Sequence, residues 1–372
     1  MTVSPCRWRA AWLVCLLACA CAGSGGQRDA GQSVLRIGWA GSPDSMNPGV
    51  AMLSEAYVVF DLIYDTLFRL ELDGTFAPEL AESWTVSPDG RVWTFRIHPG
   101  VRFHDGVPLT ARDVAFSYTL YHDHEDFPLL NSYTRPFDSI RALDERTVEI
   151  RLTQAVPNME SRLVFLFVLP EHVWSAHAGA EAAEFDNAQA IGSGPFRLLE
   201  CRQSEFVHLA ANRQHLFLPP RIDRVVFQTY DNQDALVQAI RTGQVDAITE
   251  MPYPAVRALR SEPHVQVLSG VPMPPSIVDI ALNEMAPEHC PEGGTCSGHP
   301  ALRDRRVRLA LALATDKAQL IDVAVLGLGA PGLTLIPDSL GSWYDARLRD
   351  YPFDPERAAQ LLEEAGYRDT DG

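Results

Sequence analysis

Strands and helices alternate along this chain as they do in a mixed α/β protein, and three patterns carry that expectation. Val92-Trp93-Thr94-Phe95-Arg96-Ile97 alternates large apolar with polar residues, the period of a strand with one buried face. Thr110 stands three residues before Asp113 at the head of an apolar run, the spacing of a helix capping box. Residues 225–248 read as strand, helix, strand, with Asn232 placed to cap the helix and Gly243 placed to end it in a left-handed conformation. At 372 residues the chain has room for two lobes of ordinary size.

The N-terminus reads as an export signal. Arg7 and Arg9 form a basic head, and residues 10–22 are apolar and small. That run is shorter than the ~20 apolar residues that span a bilayer, so a targeting segment is expected rather than a membrane helix. Leu16-Leu17-Ala18-Cys19 has the form of a lipobox, in which Cys19 is lipidated and becomes the mature N-terminus; Cys21 is the alternative. Gly-Ser-Gly-Gly follows, a flexible tether. The expectation is a signal over 1–21 and a tether over 22–32.

Residues 33–40 form a short apolar strand, left by the loop Gly41-Ser42-Pro43-Asp44. From 56 to 68 apolar residues fall at helical spacing, ending before a turn at 72–75. Ser87-Pro88-Asp89-Gly90 is a turn before the strand at 92–97, since Pro fixes φ, Asp can bond nearby backbone and Gly tolerates φ > 0. Pro99-Gly100 and His104-Asp105-Gly106 break the chain again before the capped helix, whose apolar face continues through Ala115, Phe116 and Leu120. Trp84, Trp93, Phe95 and Phe103 are expected in the core. Residues 140–152 read as a hairpin turning at Asp144-Glu145-Arg146. An apolar run at 163–169 closes at Pro170, and Ile191-Gly192-Ser193-Gly194-Pro195 is a crossover with a strand over 196–199 behind it. A helix begins near Val307, and Asp354-Pro355 supplies the N-cap and N1 of another, which Gly366 ends.

Several of these strings, taken in order, resemble the signature of the family 5 extracellular solute-binding proteins, the peptide- and nickel-binding receptors of ATP-driven importers. Residues 80–118 (LAESWTVSPDGRVWTFRIHPGVRFHDGVPLTARDVAFSY) carry its W-x-x-x-x-DG, WTF, F-H-DG and LTA-x-DV elements at family spacing. Gly192-Ser193-Gly194-Pro195-Phe196 matches its G-[ST]-GP-[FY] element, and AIRTGQVDAI resembles a step found widely in two-lobed binding proteins. The run around Val307-Arg308 and YPFDPERAAQLLEEAG resemble its late helices, with Leu302 standing where the family pattern has an aromatic residue. The resemblance implies a two-lobed, periplasmic-binding-protein-like (type II) fold with an extra inserted small domain. It divides the chain into a first lobe (33–75 and 190–275), an inserted small lobe (76–189) and the start of a second lobe (276–372). Family members continue well beyond the last helix, so the second lobe is expected to be incomplete.

The resemblance implies ligand capture by lobe closure, for a peptide or similar small solute, and docking onto a permease pair with its ATPase subunits. It places Gly41, Ser42, Pro43 and Asp44 at the cleft, and Asn283 and Glu284 near the crossover to the second lobe. For each of these a purely structural turn is an equal alternative. The other readings are a nickel or other non-peptide solute, and a fragment with no function of its own. From another class comes an exported metal-dependent enzyme using His122-Asp123-His124-Glu125-Asp126 or the His289–His299 loop.

A solvated loop is favoured for the first of these clusters. In the second, a disulfide between Cys290 and Cys296 is favoured over a metal site in an exported chain. Cys201 stands alone. The chain lacks G-x-S-x-G, H-E-x-x-H and P-loop strings, and no enzyme, cofactor or resident metal is expected. A formal net charge of −17 without a basic stripe speaks against nucleic acid as a partner. A monomer is expected, exported and held by its lipid in the periplasm or at the cell surface.

Overall fold

The computed structural model describes residues 31–71, 74–249, 251–268, 277–290, 298–336, 338 and 344–368. The expected signal, Cys19, Cys21, Cys296 and the start of the tether lie outside these residues. So do Leu72, Asp73 and the final residues 369–372.

The described chain forms strands β1 (Val34–Trp39), β2 (Phe68–Leu70), β3 (Phe76–Pro78), β4 (Ala81–Val86), β5 (Val92–Ile97), β6 (Phe137–Ala142), β7 (Thr147–Leu152), β8 (Phe196–Arg202), β9 (Phe206–Ala211), β10 (Arg224–Thr229) and β11 (Ala247–Ile248). Its helices are α1 (Ser54–Ile63), α2 (Ala111–Asp123), α3 (Pro128–Thr134), α4 (Glu160–Leu163), α5 (Glu171–Trp174), α6 (Gln233–Arg241), α7 (Tyr253–Leu259), α8 (Arg305–Ala314), α9 (Lys317–Ala324) and α10 (Pro355–Glu364). A larger sheet has the order β11-β1-β10-β9-β8, a smaller one the order β4-β5-β7-β6, and β2 pairs with β3 between them.

The smaller sheet follows from its alternation. Trp93, Phe95 and Ile97 of β5 point inward opposite Ile150 and Val148 of β7, and Val114, Tyr118 and Tyr121 of α2 are buried with them. The Ser87–Gly90 turn forms as read, with Gly90 at φ 70° and the Asp89 carboxylate accepting the Arg91 N–H at 3.2 Å. The α2 capping box is complete: the Thr110 hydroxyl accepts the Arg112 N–H at 3.3 Å, and the Asp113 carboxylate accepts the Thr110 N–H at 2.8 Å. In the larger sheet β1 runs parallel to both β10 and β11, while β9 returns antiparallel between β10 and β8. A continuous apolar cluster runs from Trp39 and Phe227 through α1 to Phe95, Tyr118 and Trp174.

Four local expectations need correction. The helix expected over 56–68 ends at Ile63: Tyr64 is extended (φ −115°, ψ 149°), and Asp65 and Thr66 spend their backbones on Val168 and Glu79. Leu67 and Phe68 are buried beyond the helix, which prolongs the apolar pattern without prolonging the helix. Trp84 is not core. It lies on the edge strand β4 at 37% exposure, covered on one side by Phe68, whose ring centroid is 4.8 Å away. Ala115 and Phe116 are half-buried, so the inward face of α2 is centred on Val114, Tyr118 and Tyr121 instead. The strand behind the crossover extends to Arg202 because β9 pairs with it along that length.

Candidate functional site

Three parallel strands end at one edge of the larger sheet, and the loops leaving them meet there. In open α/β sheets the carboxyl ends of parallel strands are where ligands bind. The loop after β1 is fixed from several sides. The Thr229 hydroxyl, at the end of β10, donates to the Gly41 carbonyl at 3.2 Å and accepts the Trp39 indole N–H at 3.1 Å. The Tyr230 N–H donates to the Trp39 carbonyl at 3.0 Å, and the Thr249 N–H, just after β11, to the Gly38 carbonyl at 3.3 Å. The Ser42 hydroxyl accepts the Ser204 N–H at 2.9 Å, and Pro43 is buried. The Glu55 side chain packs over Gly41, where a Cβ would stand 1.7 Å from its carboxylate and make that side chain move aside.

Asp44 serves the backbone in the same way. Its carboxylate accepts the Met52 N–H at 2.7 Å and the Leu53 N–H at 3.3 Å. Leu53, the N-cap of α1, has no side-chain cap of its own, so Asp44 covers amides that open this helix. Asn283 and Glu284 sit apart. The Asn283 side-chain carbonyl accepts the Met285 N–H at 3.0 Å, and Glu284 pairs with Arg308 at 2.9 Å. Among the described residues, no hydrogen bond, ion pair or ring contact joins the 41–44 loop to these two.

The edge also contains residues that motif reading passes over. Trp39, Thr229, Tyr230 and Thr249 belong to it through the strands that carry them, and the strand–helix–strand unit at 225–248 is the sequence signal that could have located them. On α1, Ser54, Val58 and Asp61 form an exposed stripe at helical spacing, with Met52 and Leu53 exposed beside its start. Although exposed, Asp61 is hemmed in by protein, and that desolvation pushes its carboxyl up to about 6. Tyr57 is half-buried, its hydroxyl donating to the Ala51 carbonyl at 3.3 Å, and burial, then the nearby Tyr133 and Asp44, raises its pKa. Tyr133 stacks on Phe165 with ring centroids 5.2 Å apart.

The two metal candidates are occupied with structural work. His122 Nδ1 lies 3.1 Å from the Thr134 carbonyl, and His124 Nε2 lies 3.1 Å from the Ala178 carbonyl, its ring stacked on Phe127. His299 Nδ1 accepts the Ala301 N–H at 3.2 Å. Among the described residues no cluster of three or more His, Cys, Asp or Glu side chains is arranged to hold a metal ion. Cys290 is disulfide-bonded, and Cys201 is a free, half-buried thiol whose pKa burial raises. A concavity of about 360 Å³ lies on the outer face of α2, lined by Arg112, Phe116, Leu120 and Glu171 among others, and it includes none of the edge residues.

Comparison with known proteins places this geometry among relatives. The family model of the bacterial extracellular solute-binding proteins, family 5 (middle), matches residues 75–372. The oligopeptide-binding protein AppA of Bacillus subtilis is 25% identical over 344 residues, covering 91% of this chain and 60% of its own. The di/tripeptide-binding protein 2 of Pseudomonas aeruginosa is 31% identical over 313 residues, covering 78% of this chain and 56% of its own. Among solved structures, the periplasmic binding protein DppA of Helicobacter pylori, in complex with the peptide STSA, superposes with a TM-score of 0.72 at 24% identity. That match covers 90% of this chain and 66% of the other. NikZ of Campylobacter jejuni, in complex with Ni(L-His), gives a TM-score of 0.71 at 21% identity, covering 91% of this chain and 64% of the other. The fold is therefore that of the type II periplasmic binding proteins, and the chain spans about three-fifths of the length of the curated relatives it matches.

Proposed function

Because the chain belongs to the family 5 bacterial extracellular solute-binding proteins, we propose that it acts as the ligand-capturing receptor of an ATP-driven importer, with peptides as its ligands. The observation that carries this reading is the fixed carboxyl edge of β1, β10 and β11. A receptor needs one rigid wall against which a second lobe can close, and a ligand that touches both lobes stabilises the closed form. The Gly41–Asp44 loop is held by Ser204, Thr229 and its own bonds to Met52 and Leu53, so it presents a preformed face. Backbone-paired peptide recognition suits such a face, since main-chain bonds give affinity without demanding one side-chain sequence.

In this reading residues 33–75 and 190–275 form the first lobe, 76–189 an inserted small lobe, and 276–372 the start of the second. Gly41, Ser42, Pro43 and Asp44 belong to the ligand-facing wall, with Asp44 acting through the loop it shapes. Asn283 and Glu284 belong to the passage between lobes. The lipid sits on Cys19, or on Cys21, and holds an exported monomer at the membrane beside its permease and ATPase partners. Cys290 pairs with Cys296. The protein acts by binding and carries no catalytic site, a reading supported by binding-protein relatives and by the carbonyl-bonded His122 and His124.

A second reading, a nickel chelate or another non-peptide solute, draws on the likeness to NikZ and on the 26% identity to the heme-binding protein A of Haemophilus influenzae. One thermal-shift series separates the two. Di- to nonapeptides, nickel–histidine and heme are each titrated against the purified protein. Peptide binding at micromolar strength corresponds to about −8 kcal/mol and gives a concentration-dependent rise in Tm. A rise with nickel–histidine or heme and none with any peptide overturns the peptide reading in favour of the second.

A further inference from the structure

Helix α2 carries apolar residues on two faces. Val114, Tyr118 and Tyr121 face the core, while Ala115 and Phe116 lie half-buried on the outer side, with Thr119 one turn further on. This second stripe is not used by the main core and is free to bury against something else. It forms the floor of the concavity of about 360 Å³, which is walled by Ala142 at the end of β6, by Ala178 and by Glu171 at the head of α5.

The two ends of this groove are oppositely charged. Arg112, Ala115, Phe116, Thr119 and Asp123 follow one another at helical spacing and all line it. The step from Arg112 to Asp123 makes about three turns, so both charges lie on one face, their backbones about 16 Å apart. The Arg112 guanidinium donates to the Glu171 carboxylate at 3.2 Å, and its side chain is 71% exposed. An exposed pair of this kind holds weakly and leaves another N–H edge of the guanidinium open. Asp123 is exposed, and among the described residues its carboxylate has no hydrogen-bond or ion-pair partner.

Neither charge serves the helix. The positive end of the α2 dipole lies at Ala111 and the negative end at Asp123, so a cation at Arg112 and an anion at Asp123 each occupy the end that disfavours them. A ligand of reversed polarity reverses this. Its carboxylate would meet both the guanidinium and the positive end of the helix, and its ammonium both the Asp123 carboxylate and the negative end. Glu171 stands at the carboxylate end, and its charge offsets part of that attraction.

A free peptide has one carboxylate and one ammonium at its two ends. Extended at about 3.3 Å per residue, four or five residues span the groove. An internal loop of a partner protein brings no charged backbone ends. A partner helix of the same length would bring about eleven residues, too bulky for a concavity at the small end of the ligand-site range.

We propose that the outer groove of α2 binds a short peptide with free termini, four or five residues long. The peptide lies antiparallel to the helix, with its carboxylate at Arg112, its ammonium at Asp123 and its apolar side chains on Ala115 and Phe116. The groove shares no residue with the carboxyl edge of the larger sheet, and its occupancy does not depend on the receptor reading.

The probe is the peptide Ala-Leu-Phe-Leu-Ala, with free termini or with both termini blocked, titrated into the purified full chain while amide resonances are followed. The free peptide should shift Ala115, Phe116, Thr119 and Ala178 saturably, and blocking both termini should weaken this about tenfold or more. Arg112→Gln and Asp123→Asn should each weaken it about threefold to tenfold, whereas Glu171→Gln should strengthen it. The first two variants remove charges that the dipole disfavours, so their urea midpoints should be unchanged or slightly raised. The blocked peptide tests the same charges without altering the protein. A blocked peptide that binds as tightly as the free one overturns the groove site. So do α2 resonances that do not move, and shifts confined to Gly41, Ser42 and Thr229 then leave the receptor reading standing.

Discussion

Asp44 illustrates how a side chain in a loop at the carboxyl edge of the larger sheet can be committed to the backbone. Its two oxygens receive the Met52 and Leu53 amides at the head of α1, eight and nine residues downstream. Asp44→Ala should cost about 1 kcal/mol, the ordinary loss of a helix cap, read as a lower urea midpoint at unchanged m-value. Asp44→Asn keeps an acceptor and should recover part of that loss. A midpoint unchanged in Asp44→Ala would show that the cap is carried elsewhere. At this scale legibility depends on sequence separation. The caps formed by Thr110, Asn232 and Asp354 were readable because donor and acceptor lie within three residues. The Asp65–His215 pair joins residues 150 apart, and no local pattern announces it. Asp61 escaped for another reason: exposed acids on helices are ordinary, and its raised pKa follows from surroundings assembled only by folding.

Among the elements, the 191–195 crossover is where the backbone leaves least room. A Cβ on Gly192 would stand 2.0 Å from the Ile63 carbonyl oxygen, and one on Gly194 would stand 2.7 Å from the Ile63 carbonyl carbon. Both contacts are to backbone at the end of α1, and the Gly194 N–H also donates to the Ile63 carbonyl at 2.8 Å. Gly192→Ala should therefore cost about 3 kcal/mol or prevent folding, because neither segment can yield without parting α1 from the crossover. Gly179→Ala is the control, with nothing within 4 Å of its Cβ and an expected change near zero. Equal urea midpoints for the two variants would refute the close-packing account. The two glycines and the proline were legible as punctuation, whereas their packing against α1 was not. The β6–β7 hairpin and the turn into β5 could be read because alternation and turn chemistry are short-range. The end of α1 could not, since Leu67 and Phe68 keep the apolar period while the tertiary corner takes the backbone out of the helix.

Over the whole molecule, apolar burial is divided very unequally. The extended cluster around α1, α2 and both sheets includes Phe60, Phe95, Tyr118, Phe167 and Trp174, all fully or almost fully buried. Among the described residues, a second cluster holds Ala310, Leu313, Ala358 and Leu361 between α8 and α10, with Leu309 and Leu362 half-buried against it. Around it Leu311, Leu320, Val323 and Leu335 remain exposed. Each buried leucine stabilises by about 2 kcal/mol, so a handful of small and aliphatic side chains cannot hold these helices as firmly as the aromatic core holds the sheets. The described chain should therefore open in two steps. Amides of α8 and α10 should exchange at least about tenfold faster than those of β5 and α2, and mild heating should release them before the near-ultraviolet signal of the core tryptophans changes. Phe95→Ala, which removes a fully buried ring, should lower the second step by about 3 to 5 kcal/mol and leave the first where it was. A single cooperative transition, shifted as a whole by Phe95→Ala, would show instead that α8–α10 draws its stability from the main core.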